Sequence, residues 1–442
     1  MIKINDNTYC RTFEYFYLFV MVIYMGQMTR ETSRMVGGLK GSLLPLLIPI
    51  VLTIILLFRH YVNFLHKRLW MFTGIMLGWS IAVCYKFNDF STGNESYYVF
   101  LIYAIIIAFI HIRVFGRDLF HIYEHIMVVL SAISLVFWGM SVFLPFTDSF
   151  FHLFPETHQG YNILYLFHWS GEMQNFRNSG CSWEPGRFAI MLIPAILVNL
   201  SRRGVTFLRN KNAIILLLTL ASTMSTTGYS VAILLYGIFW FEKITVKKSL
   251  IFVVFILPIF AYLFSLDFMT EKIQEKADFR GLDAERLEEF EYNEQKRGDE
   301  YVASLDRFES ASFEWMNFQH DPLLGYGRSK KHSWFYQELS KNLEMTSGLV
   351  KVLSQYGIFI GILLYLILFY SSVMISRAFL HQRWFAFALA LILCSVSYTI
   401  FSVPIFTAFW LYGLFCRKDE KKDARLLISR RKLPYTQDKY LQ

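Results

Sequence analysis

Apolar residues in this chain come in long blocks separated by short polar or basic segments. Ser42–Phe58 and Tyr97–Ile112 are long enough to cross hydrocarbon, which takes ~20 residues at a rise of ~1.5 Å each. The blocks are Phe13–Met25, Leu43–Phe58, Trp70–Tyr85, Tyr97–Ile112, Ile122–Phe143, Phe188–Leu200, Ala213–Phe241, Leu250–Phe264, Gly348–Ile375, Trp384–Ile400 and Val403–Phe415. Ala213–Phe241 is too long for one upright span, and its middle, Ser225-Thr226-Thr227-Gly228-Tyr229, is polar and contains glycine. Two short helices joined by a tight turn are predicted there, which gives about twelve spans. A single tilted, kinked helix is the alternative and would invert everything downstream.

The positions of basic residues arbitrate. With the N-terminus in the cytoplasm and twelve crossings, the inside segments are Arg59–Arg68, Arg113–Arg117, Arg202–Lys211, Lys243–Lys248, Arg377–Arg383 and the tail from Arg417, and each carries Lys or Arg. The outside loops Lys86–Ser96 and Phe146–Cys181 are poorer in them, while Met28–Lys40, with Arg30, Arg34 and Lys40, is the exception. A single helix at Ala213–Phe241 would place the basic tail outside, against this rule.

The expected fold is therefore an all-α polytopic membrane protein. Residues 1–266 hold transmembrane helices and an outer loop at about 146–187. Residues 267–347 form a large, helical outer loop, 348–416 the last spans and 417–442 a basic cytoplasmic tail. Within the large loop, Asp267–Glu300 reads as solvated helix, and Tyr301–Asn342, richer in aromatic and basic residues, is expected to pack near the membrane. No internal repeat is visible, which counts against common secondary-transporter folds.

Of 442 residues 55% are hydrophobic and 17% charged, too little charge for the surface of a soluble chain of this length. The net charge of +9 lies in short loops beside apolar blocks, so topology accounts for it and no nucleic-acid partner is indicated. The five cysteines, Cys10, Cys84, Cys181, Cys394 and Cys416, are scattered without metal-ligand spacing. The first apolar run lacks an A-x-A-like cleavage site and reads as an uncleaved span.

Two outer segments concentrate reactive side chains. The first is Asn175-Phe-Arg177-Asn-Ser-Gly180-Cys-Ser-Trp183-Glu184-Pro185-Gly186-Arg187, directly before a span. Pro185 sits where a helix can start and Glu184 is favoured near its N-terminus. Glu184 is then either a helix cap or an acid–base group, and Arg177 and Arg187 are either interface anchors or anion ligands. The second segment carries Arg307, Trp315, then Asp321-Pro322-Leu-Leu-Gly325-Tyr-Gly327-Arg328, with Lys330, Lys331 and His332 after it. Gly325-x-Gly327 beside Arg328 offers backbone amides and cations to an anion, or is an ordinary turn with a solvated basic patch. Lys351, one turn into the next span, snorkels to the interface or serves the site. His121-Ile-Tyr-Glu124-His125 matches a zinc-protease pattern but lies at the cytoplasmic end of a span with no third ligand evident, and is discounted.

These segments resemble a known family. Arg177-Asn-Ser-Gly-Cys-Ser-Trp-Glu-Pro-Gly186 is similar to the R-x-x-G-x-x-W-E-P-G signature of bacterial O-antigen and capsule repeat-unit polymerases, the Wzy type. Ser225-Thr-Thr-Gly-Tyr229 resembles their S-T-T-G-Y turn. Arg307 with Pro322-Leu-Leu-Gly-Tyr-Gly327 resembles the Arg and P-L-L-G-x-G of the wider polymerase and ligase superfamily, and Ser347-Gly-Leu349 with Gln355-Tyr-Gly357 its next span entry. The resemblance covers about half the chain, Arg177 to Ile375. It departs from the O-antigen ligase branch, which has an Arg in the turn where Thr226 and Thr227 stand, and a His where Glu344-Met-Thr-Ser-Gly348 stands.

The resemblance implies a lipid-sugar glycosyltransferase fold of the GT-C type in the bacterial cytoplasmic (inner) membrane, with both termini cytoplasmic. It implies polymerisation of undecaprenyl-pyrophosphate-linked repeat units into O-antigen, and so lipopolysaccharide, or capsule. Expected partners are that lipid-linked glycan, the bilayer, a chain-length regulator and a flippase. The alternatives are a ligase transferring glycan to lipid A-core and, in another class, a polysaccharide flippase or transporter. A transporter places ionisable groups near the midplane, whereas here they gather at the outer edge.

For the polymerase, Arg177 and Arg307, with Arg328 behind them, would stabilise the leaving pyrophosphate. Glu184 is the first choice for general base and His332 the second. Arg187, Lys351, Gly325 and Gly327 are further pyrophosphate-binding candidates, and Trp183 either stacks on sugar or belongs to the core. No D-x-D-like motif occurs in these segments, so neither a metal nor another cofactor is expected.

Overall fold

The computed structural model describes residues 6–26, 47–90, 92–144, 147–157, 160–170, 177–206, 210–240, 303–304, 307–339, 343–344, 348–379, 383–401 and 403–416. The block at Leu250–Phe264, the charged stretch Asp267–Glu300, the Met28–Lys40 loop and the basic tail lie outside the described residues.

The helices are α1 (Asp6–Met25), α2 (Leu47–Arg59), α3 (Lys67–Lys86), α4 (Thr92–Phe115), α5 (Asp118–Phe143), the short α6 (Thr147–Phe151), α7 (Pro185–Arg203), α8 (Lys211–Ser222), α9 (Thr226–Trp240), α10 (Arg307–His320), the short α11 (Trp334–Leu339), α12 (Gly348–Ala378), α13 (Ala386–Ser395) and α14 (Pro404–Phe415). Four stretches are long and apolar enough to cross a membrane: Lys67–Lys86, Tyr98–Phe115, Asp118–Phe143 and Gly348–Ala378. Six shorter apolar helices join them among the described residues. The chain is thus mostly helical, but strands are present. A three-stranded antiparallel sheet, β1 (Glu156–Thr157), β2 (Gly160–Ile163) and β3 (Phe167–Trp169), stands between α6 and α7, and a two-residue parallel pair joins Ala303–Ser304 to Leu343–Glu344.

α7 is buried on all sides from Arg187 to Ser201, as a helix apolar around its whole circumference must be. It packs on α5, α8, α9 and α13. The long block around residue 225 does divide into α8 and α9. The turn lies at Thr223–Ser225, slightly before the predicted position, because Ser225 Oγ accepts from the Gly228 amide and so starts α9 at Thr226.

Arginines close helix ends at both ends of the bundle. At one end arginines cap helix C-termini: Arg68 donates to the Leu414 carbonyl (3.3 Å), Arg117 to Ala378 (3.2 Å) and Arg383 to Ile238 (2.7 Å). Arg202 pairs with Glu124 (2.6 Å) and His60 with Glu14 (2.5 Å) at the same end. The opposite end gathers Met25 and Gly26, residues 177–187, the 223–228 turn, Lys86 to Asp89, residues 321–332 and the start of α12.

α12 is not one continuous helix. Gly357 has φ 69° and ψ 176°, and the segment after Pro322 runs alongside the break. Ile358 N–H donates to the Pro322 carbonyl (2.8 Å), Tyr326 N–H to Ser354 (2.9 Å) and Gly327 N–H to Gln355 (3.0 Å). The backbone groups that the interruption removes from the helix are satisfied by this segment, as a broken helix at a membrane requires.

Candidate functional site

Residues 177–187 thread between the ends of three helices. Arg177 donates from Nε to the Thr223 carbonyl and from Nη2 to Met224, 3.1 Å each, and so caps α8. Burial pulls its guanidinium below the ordinary value; the Glu184 carboxylate and then Tyr229 act against that shift. Asn178 is fully buried. Its Nδ2 donates to Ser222 Oγ (2.9 Å) and its backbone N–H to the Ser222 carbonyl (3.0 Å). Gly180 takes φ 51°, and a Cβ there would meet the Phe188 ring at 2.6 Å or less. The Ser182 hydroxyl and the Trp183 amide both donate to the Gly26 carbonyl (3.3 and 3.4 Å).

Glu184 is the residue before α7, in extended conformation with Pro185 at the first helical position, as expected. Its side chain makes no capping hydrogen bond and interacts instead with Arg177. Arg187 is buried, donates from Nε and Nη2 to the Met25 carbonyl (3.1 and 3.0 Å) and lies 5.7 Å over the Tyr398 ring. Rather than anchoring at an interface, it closes the end of α1.

In the second segment Asp321 forms an ion pair with Lys86. The Gly325-x-Gly327 amides expected to face an anion are engaged: Gly325 N–H donates to Asp321 (3.0 Å), and Tyr326 and Gly327 to the broken helix. Both glycines have positive φ, and a Cβ at Gly325 would fall 2.5 Å from the Ser354 carbonyl oxygen. Their role in this structure is close approach to α12. Arg328, half-buried, sets its guanidinium beside the Tyr356 hydroxyl. His332 is buried; its Nε2 lies 2.8 Å from Asp89 Oδ2 and its ring stacks on Phe87 at 4.4 Å. Arg307 opens α10, and its side chain lies outside the described residues.

Lys351 pairs with Glu314 at 3.9 Å. Glu314 is fully buried, accepts from the Tyr326 hydroxyl (3.2 Å) and the Ser354 hydroxyl, and joins α10, the 321–328 segment and α12 at one point. Burial raises its carboxyl above the usual range, opposed by Lys351, then Ser354, Tyr326 and Asn317. Sequence reading missed Glu314, because Ser310, Glu314 and Asn317 form a buried polar stripe where a core-facing stripe is normally apolar. It also missed Asp89, which orients His332.

Residues 395–401 contact the first segment and α12. The Tyr398 ring lies under Arg187, its carbonyl packs against Gly348, and Ser397 exchanges a 2.9 Å hydrogen bond with Thr227 of the polar turn. Arg177, Glu184, Arg187, Arg328, His332 and Lys351 thus share one end of the bundle. Trp183 is half-buried beside them. His121, Glu124 and His125 go elsewhere: Glu124 is held by Asn199 and Arg202 (2.6 Å each), His121 meets Phe379, and His125 meets Tyr15.

Comparison with protein families, with curated proteins and with solved structures gives no match to this chain.

Proposed function

We propose that the chain polymerises polyprenyl-pyrophosphate-linked oligosaccharide repeat units on the outer side of a bacterial cytoplasmic membrane. The observation that carries this reading is the placement of two sequence-distant segments, Arg177–Arg187 and Asp321–His332, at one end of the bundle, the end away from Arg68, Arg117, Arg202 and Arg383. In the proposed topology the end that holds Arg68, Arg117, Arg202 and Arg383 is cytoplasmic, the chain crosses twelve times, and both termini are cytoplasmic. α8 and α9, running away from and back to that end on either side of the Thr223–Ser225 turn, support the even count.

On the outer side there are no nucleotide sugars, so the donor arrives activated as a lipid pyrophosphate. An acceptor hydroxyl oxygen bonds to the donor's anomeric carbon. The bond from that carbon to the pyrophosphate oxygen breaks, and its electron pair leaves with the lipid pyrophosphate. Arg177, with Arg307 and Arg328, is assigned to the charge that grows on the leaving group, where fixed guanidiniums act best in a desolvated site. Arg177 keeps donors beyond the two on Thr223 and Met224, since a guanidinium carries five N–H groups. Glu184, beside Arg177 and not committed to the helix cap, takes the hydroxyl proton. The His332–Asp89 pair, with one ring nitrogen oriented by a carboxylate, is the second base candidate.

The test is reconstitution of the purified chain with a lipid-pyrophosphate-linked repeat unit and no other acceptor. A ladder of longer lipid-linked glycans, lost in Arg177→Ala and Glu184→Ala proteins that still fold, is the expected result. Transfer only after lipid A-core is added would make the protein a ligase, and no transfer in either case would refute an enzyme acting on that substrate.

A further inference from the structure

The small sheet between α6 and α7 carries an arrangement that the proposed reaction leaves unused. Across β1, β2 and β3, Glu156 pairs with Tyr161 and Tyr161 with Trp169, so these three side chains stand in a row on one face. The Tyr161 and Trp169 rings lie 5.7 Å apart at 34°, and His152 stacks on Tyr161 at 4.6 Å and 23°. His152 and Glu156 are exposed, and Tyr161 and Trp169 are half-buried. Phe151 backs Trp169 at 5.2 Å, which fixes the indole from behind. The neighbouring pair on the other face, Asn162 and His168, is buried. His168 holds Thr157 at 3.1 Å and donates its backbone N–H to the Gly180 carbonyl (2.8 Å), so the sheet is tied directly to residues 177–187. Burial pushes the His168 imidazole down to about 4, which keeps it uncharged in this joint.

From these observations we infer that His152, Tyr161 and Trp169, with Glu156 at the end of the row, form a platform for the sugar rings of the glycan, outside the site of bond formation. Flat rings cover the C–H faces of pyranoses, while a carboxylate and a phenol at the same surface meet their hydroxyls. Charge separates this occupant from a lipid surface. Between Arg117 and Arg177 the chain has no Lys or Arg, while Asp148, Glu156 and Glu172 lie in the loop. Anionic headgroups and pyrophosphate are repelled there, whereas an uncharged saccharide is not. The platform rests on the proposed polymerase reading and deepens it: the growing chain, not the pyrophosphate, is held here.

The probe is the lipid-free oligosaccharide of two repeat units, titrated calorimetrically into the full chain in detergent. Saturable binding is expected, weakened about tenfold in His152→Ala and in Trp169→Ala, and kept within about twofold in Tyr161→Phe, whose ring still stacks. Glu156→Gln and His152→Ala alter exposed side chains, so they report on binding even if Trp169→Ala disturbs the sheet. No saturable binding, or equal affinity in His152→Ala, Trp169→Ala and wild type, overturns the inference. So does an interfacial anchor: stronger quenching by brominated lipid in wild type than in Trp169→Phe, with no effect of the oligosaccharide. No donor lipid is present, so the two proposals fail separately. Binding without a ladder in the reconstituted reaction refutes the polymerase reading, and a ladder without binding refutes the platform.

Discussion

Replacing Gly357 with alanine tests whether the break in α12 is set by the segment that fills it. At φ 69° and ψ 176° the backbone is in a region open essentially to glycine, and an alanine there costs ~1–3 kcal/mol. Its Cβ would fall 2.5 Å from the Leu323 carbonyl carbon and 2.7 Å from that of Leu324. Both are backbone atoms and cannot rotate aside. Relief requires residues 322–327 to step away from α12, which weakens the bonds from Ile358, Tyr326 and Gly327. At ~1 kcal/mol each, losing two of the three brings the total to about 3–5 kcal/mol. At ~2 °C per kcal/mol for a large chain, the melting midpoint in one detergent should fall by about 5–10 °C. Gly78, in α3 with nothing within 4 Å of its Cβ position, is the control, and its alanine variant should be neutral or slightly stabilised. If Gly357→Ala and Gly78→Ala melt together, the reasoning is wrong.

The remaining expectations concern the charged groups. Burial raises the folded Glu314 carboxyl above its ordinary 4.5, so the stability it contributes is complete below about pH 4.5 and is lost as pH rises through the folded value. Wild type should therefore weaken relative to Glu314→Gln as pH increases above that point; a difference flat from about pH 4 to about pH 8 in denaturant titrations would contradict this. Glu184→Gln should lower the transfer rate by about 10²–10⁴-fold in protein that still folds, and because it also removes the charge beside the buried Arg177 guanidinium its melting midpoint is measured alongside. Arg177→Lys keeps the charge but loses the fork that reaches Thr223 and Met224; turnover should drop about 10²-fold or more, and recovery to wild type would remove Arg177 from the leaving-group role. Asp89→Asn should lower turnover by about 10²-fold or more if His332 is the base, and normal turnover would leave Glu184 as the base.

What the sequence made legible followed from length and periodicity. Apolar blocks located the helices, and polar Ser225–Tyr229 disclosed the division into α8 and α9. The start of α7 at Pro185 was readable because proline and the preceding glutamate have positional meaning at a helix N-terminus. Gly357 was not readable as a break, since a lone glycine in an apolar span is usually tolerated and nothing local announces the segment that docks against it. The glycines at 325 and 327 suggested an anion cradle; the Gly325 amide turns back on Asp321, and the carbonyls that claim the Tyr326 and Gly327 amides lie about thirty residues later in sequence and are visible only in three dimensions. The strands at 156–169 are two to four residues long, too short for alternation to register. Arg177 and Arg187 drew attention as charges, but their hydrogen bonds to helix-end carbonyls depend on where α8 and α1 stop.

The closure of α1 by Arg187 also bears on how the protein is made. The first helix ends in carbonyls at Met25 and Gly26 whose donors are Ser182, Trp183 and Arg187. During synthesis those donors emerge some 160 residues after the acceptors, a separation that makes this contact slow to form. Until then the last carbonyls of α1 lack these donors, and α5 can pack on α1 before the helix is locked. A nascent chain stopped before residue 182 therefore holds α1 by side-chain packing and by the bonds of Glu14 to His60 and of Tyr17 to Thr53 and His111, without these end contacts. Commitment to the final arrangement comes only as the segment bearing Glu184 is delivered.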